Sequence, residues 1–249
     1  MSRNLYILYT LAHLKQKANV RGTILGYLWW FIEPLMLIAL YSYVVGIIFG
    51  HSGKDQILMI AIGVTLWKWW STALSAATTA LNRYKGIVTQ VKMSLPILPI
   101  SEVVGQTYLF VFGYLLLQSI LLILGYVPNV TALFIAFLSS ILMVSSLSLF
   151  FSILNVFIRD TAFLVSFGLR ILFYVTPIIY PASRVPESYR WIIDFNPFAY
   201  LVNLFNESLV HPDQVNYINS ISILLISFIL LIVMLWISKI LRTSIIRNV

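Results

Sequence analysis

No cysteine occurs in the chain, which excludes disulfides, thiolate metal sites and iron–sulfur clusters. Charge is nearly as scarce: Asp, Glu, Lys and Arg make up 10% of the residues, against about 25% in a soluble domain. His13, His51 and His211 are scattered and make no metal-ligand spacing. There is no Gly-x-x-x-x-Gly-Lys-Ser/Thr run; residues 50–54 are the nearest grouping and lack the spacing that cradles phosphates at a helix start. No nucleophile stands with a base and an orienting acid, since the His–acid neighbours, His51 with Asp55 and His211 with Asp213, have none beside them. The chain therefore reads as no enzyme and as holding no cofactor, so that any ATP it uses is hydrolysed by another chain.

What is present is apolar: 60% of the 249 residues, with a mean hydropathy of +0.94. Runs long enough to cross a bilayer, which takes roughly 20 residues per helix, make this an all-α integral membrane protein. Six candidate spans follow, at residues 24–50, 57–80, 103–126, 131–158, 163–181 and 217–240. An even count puts both termini on one side. Assigning that side to the cytoplasm places Arg3, Lys15, Lys17, Arg21, Arg83, Lys85, Lys92, Arg159, Lys239, Arg242 and Arg247 inside, against Lys54, Arg184 and Arg190 outside. The net charge of +8 thus belongs to topology, not to a solvated face for nucleic acid.

Residues 1–20 lack the small-residue cleavage site of a signal peptide and read as an interfacial helix, with Leu5, Leu8 and Ala12 at helical spacing. A frayed terminus is the alternative. Residues 81–100, with Arg83, Lys85, Lys92, Pro96 and Pro99, are too long for a turn and predict a cytoplasmic segment containing a short helix. In the outward loop 182–213, Asn196 can cap a helix with Pro197 at its first position, running Pro197–Val210. That helix is too short to span, so it and residues 189–195 are expected as a pair of short helices lying in, or dipping into, the outer leaflet.

Polar residues inside spans are the informative ones, because a mid-bilayer charge costs roughly 2.5–3.5 kcal/mol unless it faces protein or water. In span two, Lys68, Ser71, Thr72, Ser75 and Thr79 form one stripe beside Trp67 and Trp70. For Ser71, Ser75 and Thr79 a helix–helix seam is expected. Ser145, Ser148, Ser152, Asn155 and Arg159 repeat the device in span four, again as packing. Ser166, Arg170, Phe173 or Tyr174, and Pro177 share a face of span five. Glu33 is the one acid well inside a span, at a depth similar to that of Arg170, which makes a Glu33–Arg170 pair the expectation and snorkelling the alternative.

Several motifs occur in order: Leu25-Gly26-Tyr27-Leu28-Trp29-Trp30 with Pro34, Leu95-Pro96-x-x-Pro99, Asn155-Val156-Phe157-Ile158-Arg159-Asp160, Thr176-Pro177-Ile178-Ile179-Tyr180 and Asn196-Pro197. Together, across roughly residues 21–210, they resemble the permease subunit of bacterial type 2 ABC exporters for O-antigen, capsule and teichoic acid polymers. The resemblance implies a six-span permease of the inner membrane, a homodimer around a central pathway, bound to two copies of a separate ABC ATPase. It also implies that the N-terminal helix and residues 81–100 meet the ATPase, with Arg83, Tyr84 and Lys85 docking there. The outer helices would close the exit, with Trp191, Phe195, Asn196, Pro197 and Phe198 as gate residues.

The expected substrate is a lipid-linked glycan. Sugar rings stack on aromatic faces, and aromatics are 15% of the chain, although interfacial belts claim many of them. Trp30, Phe31, Tyr41, Arg170, Phe173 and Tyr174 are the expected pathway residues, with Trp67 and Lys68 contributing from span two. Lys68 departs from the family pattern, and a lipid-phosphate contact or a substrate-specific role are both open for it. An ABC exporter of small drugs or lipids is the alternative within the fold. A secondary transporter would need repeated halves and more coupling acids than Glu33 alone.

Overall fold

The computed structural model describes residues 8–11, 26–48, 53–90 and 93–249. Among these no strand occurs. Helix α1 (Trp29–Tyr43) continues into a π-helical turn (Val44–Ile48), and α2 (Lys54–Thr78) leads through α3 (Ala80–Arg83) and α4 (Lys85–Gln90) to α5 (Ile97–Ile123). Then come α6 (Val130–Phe157), α7 (Thr161–Val175), α8 (Arg190–Asp194), α9 (Pro197–Val210), α10 (Tyr217–Ile240) and α11 (Arg242–Asn248). The expected N-terminal interfacial helix lies outside the described residues except for 8–11, which are helical.

Four helices, α2, α5, α6 and α10, are long and apolar enough to cross a membrane, while Phe31–Ile47 and α7 are apolar but shorter. At 1.5 Å per residue the 15 residues of α7 reach about 22 Å, short of a hydrocarbon core of about 30 Å. The helix stops because Thr176 precedes Pro177, whose ring disfavours helical backbone in the residue before it; Thr176 is extended, at φ −82° and ψ 136°. At α5 the deviation runs the other way. Pro96 takes the N-cap position and Pro99 the first turn, where a missing N–H breaks no helical bond, so the helix begins at Ile97 rather than near residue 103.

Helix α2 is the hub, packing against α1, α5, α6, α7 and α9. Its Ile60, Ile62, Leu66, Trp70 and Leu74 are fully buried. The most extensive helix pair is α6 with α10. Helix α6 buries Ser145, Ser148, Ser152 and Asn155, and α10 buries Ser220, Ser227 and Ser238, small side chains that let backbones approach. The polar stripe of span four is accordingly packing material, with Arg159 exposed at its end. A second cluster, at the end carrying the basic residues, joins Ala80, Leu81, Val88, Leu95, Leu98, Ile153, Val156 and Ile245, with Leu8 and Leu11 against it.

At the opposite end three asparagines begin helices. Asn129 Oδ1 accepts from Ala132 N, Asn196 Oδ1 from Phe198 N, and Asn216 Oδ1 from Ile218 N and Asn219 N. Asn129 also ties elements together, its Nδ2 donating to Tyr217 Oη at 2.9 Å and its backbone N to Ser208 O at 2.8 Å. Gly125 turns α5 into α6 at φ 90°, a left-handed conformation that a side chain would strain.

Helix α9 has the bounds and cap expected from sequence. Phe198, Leu201, Val202, Phe205 and Leu209 recur at helical spacing and are all buried, against α6 and α2. An amphipathic stripe of that width is held against α2 and α6.

Between α7 and α8 the backbone leaves helical geometry while still inside the bundle, and its polar groups are met by side chains. Tyr180 Oη donates to Tyr174 O at 2.8 Å and Val175 O at 3.1 Å, satisfying orphan carbonyls at the end of α7. Gln56 Nε2 donates to Ile179 O at 3.0 Å, and Asn196 Nδ2 to Thr176 Oγ1 at 2.9 Å. Ile178, fully buried, presses on Gly63 so closely that a Cβ there would lie 2.9 Å from Ile178 Cγ2. Asn196→Ala removes both the cap and the Thr176 bond and is expected to lower stability by roughly 1–3 kcal/mol, read as a fall in detergent melting temperature. Asn196→Asp keeps the cap acceptor and is expected to fall between; unchanged melting of the alanine variant would remove this link from the fold's supports.

Candidate functional site

Helices α1, α2 and α7 enclose an open groove of about 760 Å3. Helix α1 contributes Leu37 and Tyr41; α2 contributes Val64, Trp67, Lys68, Ser71, Thr72, Ser75 and Ala76; α7 contributes Ser166, Leu169, Arg170, Phe173 and Tyr174. Six of the eight residues expected along a pathway therefore meet here. Phe31 is half-buried on α1 and does not line this groove, and the side chain of Trp30 lies outside the described residues.

The rings form a continuous wall. Tyr41 packs on Phe173 with centroids 5.2 Å apart, Trp67 on Phe173 edge-on at 6.0 Å, and Phe173 on Tyr174 edge-on at 5.1 Å. Trp67 and Phe173 are largely buried, whereas Tyr174 is 60% exposed and Arg170 is also exposed. Phe198 backs the wall, 5.7 Å from Trp67 and 5.3 Å from Trp70. The start of α9 thus supports the groove from behind.

The expected Glu33–Arg170 pair is not formed. Glu33 pairs with Lys68 instead, because α1 packs along α2 and brings the carboxylate to the ammonium. Depth along two helices says nothing about which faces meet, and the choice of partner is made by helix packing. Arg170 has no hydrogen-bond or ion-pair partner among the described residues, so its guanidinium faces the groove uncommitted. Lys68 also lines a smaller cavity of about 220 Å3 with Glu33, Trp69, Thr72, Gln106 and Phe110, and so stands in the partition between the two.

Ser71 and Ser75, expected in a helix–helix seam, line the groove. The Ser71 hydroxyl donates back to Trp67 O at 2.6 Å and the Thr72 hydroxyl to Lys68 O at 2.6 Å. Their polarity is met within the helix, leaving a smooth small-residue floor. Thr79, the last of the stripe, instead accepts from Arg83 Nη2 at 2.6 Å.

At the basic end, Arg83 Nη1 lies 3.2 Å from Glu102 Oε1, and Tyr84 Oη donates to the same oxygen at 3.5 Å. Glu102 is buried at the start of α5, a partner that sequence reasoning missed because it lies 19 residues from Arg83. Burial, with the Glu102 carboxylate adding to it and Arg83 opposing, pushes the Tyr84 phenol above its ordinary value and keeps it a neutral donor. Lys85 is exposed on α4. At the other end Trp191 and Phe195 are strongly exposed, while Asn196, Pro197 and Phe198 are built into the cap and wall described above.

An unpaired charge in a membrane-embedded helix is costly, so Lys68→Met is expected to lower melting temperature and yield, by up to roughly 3 kcal/mol. The exchange Glu33→Lys with Lys68→Glu is expected to recover most of that loss, while Arg170→Met leaves melting unchanged. A double exchange no better than either single change would show that the pair contributes nothing.

Residues 8–210 match the ABC-2 type transporter family. The chain is also similar to an O-antigen export system permease protein RfbA of Klebsiella pneumoniae, 27% identical over 231 residues that cover 91% of this chain and 88% of the relative. A second RfbA of that organism is 24% identical over 79% of this chain and 77% of its own. One from Myxococcus xanthus is 26% identical over 80% and 78%. With four-fifths of its length matched by one family, this multi-pass membrane protein belongs to the ABC-2 type transporters.

Proposed function

We propose that this chain is the membrane-spanning subunit of an ATP-driven exporter of a lipid-linked, O-antigen-like polysaccharide across a bacterial inner membrane. The observation that carries the reading is the groove between α1, α2 and α7, where the uncommitted Arg170 stands one turn from Tyr174 in a wall of aromatic rings. A guanidinium offers a fork of N–H donors that suits a lipid diphosphate, through charge-assisted and often bidentate hydrogen bonds. Tyr174, one turn along, offers a ring face to the first sugars, and weak repeated stacking lets a polymer slide. The names of the RfbA relatives support the polymer class.

The groove is open on one chain, and a second copy facing it would close a pathway, which favours a homodimer. Power would come from a separate ABC ATPase in two copies. In this reading six segments cross the membrane, with α1 and α7 shorter than the rest and extended by the turns that follow them. Both termini are cytoplasmic by the distribution of Lys and Arg. Lys85 on α4 is the best contact for the ATPase, whereas Arg83 and Tyr84 act first by holding the segment to Glu102. At the outer end the exposed Trp191 and Phe195 form the movable part of the gate, since they have few neighbours. Asn196, Pro197 and Phe198 serve as its fixed base.

The test uses the chain reconstituted with its ATPase. Arg170→Ala is expected to melt like the unaltered protein and to reduce the ATP turnover stimulated by lipid-linked glycan by about ten- to a hundredfold, as loss of one charge-assisted contact of roughly 1.5–3 kcal/mol implies. Arg170→Lys is expected to be partly functional, and Tyr174→Ala to slow export. A variant that is unstable as well as inactive would sink the substrate-contact role. Arg83→Ala is separately expected to lower stability, by taking the guanidinium away from the buried Glu102 carboxylate; normal melting of that variant would refute the anchoring role.

A further inference from the structure

A second cavity, of about 510 Å3, opens at the end of the bundle away from the basic residues. Its walls are the first turns of α2, the segment after α7, and α8 and α9. It lies within the size range of about 300–1,000 Å3 typical of small-ligand sites. Nothing in the groove described above uses it, and the two cavities share no residue.

The polar lining offers both donors and acceptors. Gln56, Asn203 and Asn206 each commit an amide N–H to the protein: Gln56 Nε2 to Ile179 O, Asn203 Nδ2 to Glu207 Oε1 at 2.6 Å, and Asn206 Nδ2 to Val202 O at 3.1 Å. Each keeps its second amide N–H, and none of their amide oxygens has a hydrogen-bond partner among the described residues, so every one of the three offers both a donor and an acceptor. His211 adds an imidazole and Asp55 a carboxylate, and a second carboxylate, Asp194, like it only accepts when ionised. Arg190, one turn before it on α8, is the cation of the lining, and Tyr200 supplies a partly exposed ring with a hydroxyl.

Such a lining is matched by a neutral ligand that donates and accepts at the same atoms. A phosphate or carboxylate brings only acceptors, and adds negative charge to a site that already holds two carboxylates against one guanidinium. A saccharide donates from every hydroxyl, accepts at the same atoms, and presents a C–H face to Tyr200 and to the flanking prolines, Pro177 and Pro181. We propose that this cavity is a saccharide-binding site, at which a sugar unit of the exported chain is held as it leaves the transporter. The identification of the sugar with the exported chain rests on the polysaccharide-export reading; the hydrogen-bonding chemistry of the site does not.

Because the chain has no cysteine, a single introduced thiol reports on the site without background. Ala182→Cys places it in the lining and Glu187→Cys outside it, on the same connecting segment. The full-length protein, reconstituted with its ATPase in lipid vesicles, is labelled with a membrane-impermeant maleimide. Labelling is followed against a panel of neutral mono- and disaccharides containing mannose, galactose, glucose, rhamnose and N-acetylglucosamine, and against inorganic phosphate. The expected result is that at least one panel sugar slows labelling at 182, to about one third when its concentration is roughly twice its Kd, and leaves 187 unaffected. Phosphate is expected to have no effect. Adding Asn203→Ala and Asp194→Ala, both at exposed positions, is expected to abolish protection while labelling at 187 and melting stay unchanged.

Labelling at 182 that no panel sugar slows, protection by phosphate as strong as by sugar, or protection that survives the double substitution would each overturn the site. ATP turnover stimulated by lipid-linked glycan is measured on the same Ala182→Cys protein. Stimulation without protection removes this site and leaves the export reading standing. Protection without stimulation leaves a saccharide site and removes the export reading.

Discussion

The arrangement of this bundle depends on one buried stretch that is not helical, residues 176–180. A backbone that leaves the helix inside an apolar bundle exposes N–H and C=O groups that neither lipid nor a neighbouring helix satisfies. Here the side chains of Tyr180 and Gln56 take over that task, at the end of α7 and from α2, while Asn196 at the start of α9 bonds the Thr176 hydroxyl. Ile178 can reach the bundle core because Gly63 presents no Cβ on the hub helix. The same few contacts therefore set where α7 ends, how α9 enters the core and how close the turn lies to α2.

The groove inherits its shape from that clamp. Phe173 and Tyr174 are the last aromatic residues before α7 stops, and Tyr180 is bonded to the carbonyl of Tyr174 itself. Phe198 is two residues beyond the asparagine that ties α9 to Thr176, and it supports Trp67 from behind. Groove wall and α9 are thus one packed unit, with Trp191 and Phe195 the freely exposed aromatics between them. The charges follow a similar division. The Glu33–Lys68 pair joins α1 to α2, whereas Arg170 is left unpartnered at the groove surface among the described residues.

A polar residue in a membrane helix had two readings throughout, packing or pathway, and the outcome differed between helices. The serines of α6 are buried in the bundle, and those of α2 floor the groove. Both sets have the same spacing and the same residue types. Which reading holds depends on whether another helix covers the face: in α6 the serine-bearing face is buried in the bundle, while beside α2 the space between α1 and α7 is left open.

The sequence by itself determined the class and the punctuation of this protein. Apolar runs of bilayer length and scarce charge left only a helical membrane protein. The Asn-Pro start of α9 follows from local backbone chemistry, because a side-chain oxygen satisfies the first N–H groups and proline suits the first turn. Family membership was legible for a related reason, since its motifs sit at helix ends and turns where few residue types fit. Tertiary structure decided the pairings. It gave Glu33 to Lys68 rather than to Arg170, Glu102 to Arg83, and the apolar face of α9 to α2 and α6. Periodicity along one helix specifies which residues share a face and at what depth, but the neighbour that covers the face is chosen by the packing of the whole bundle.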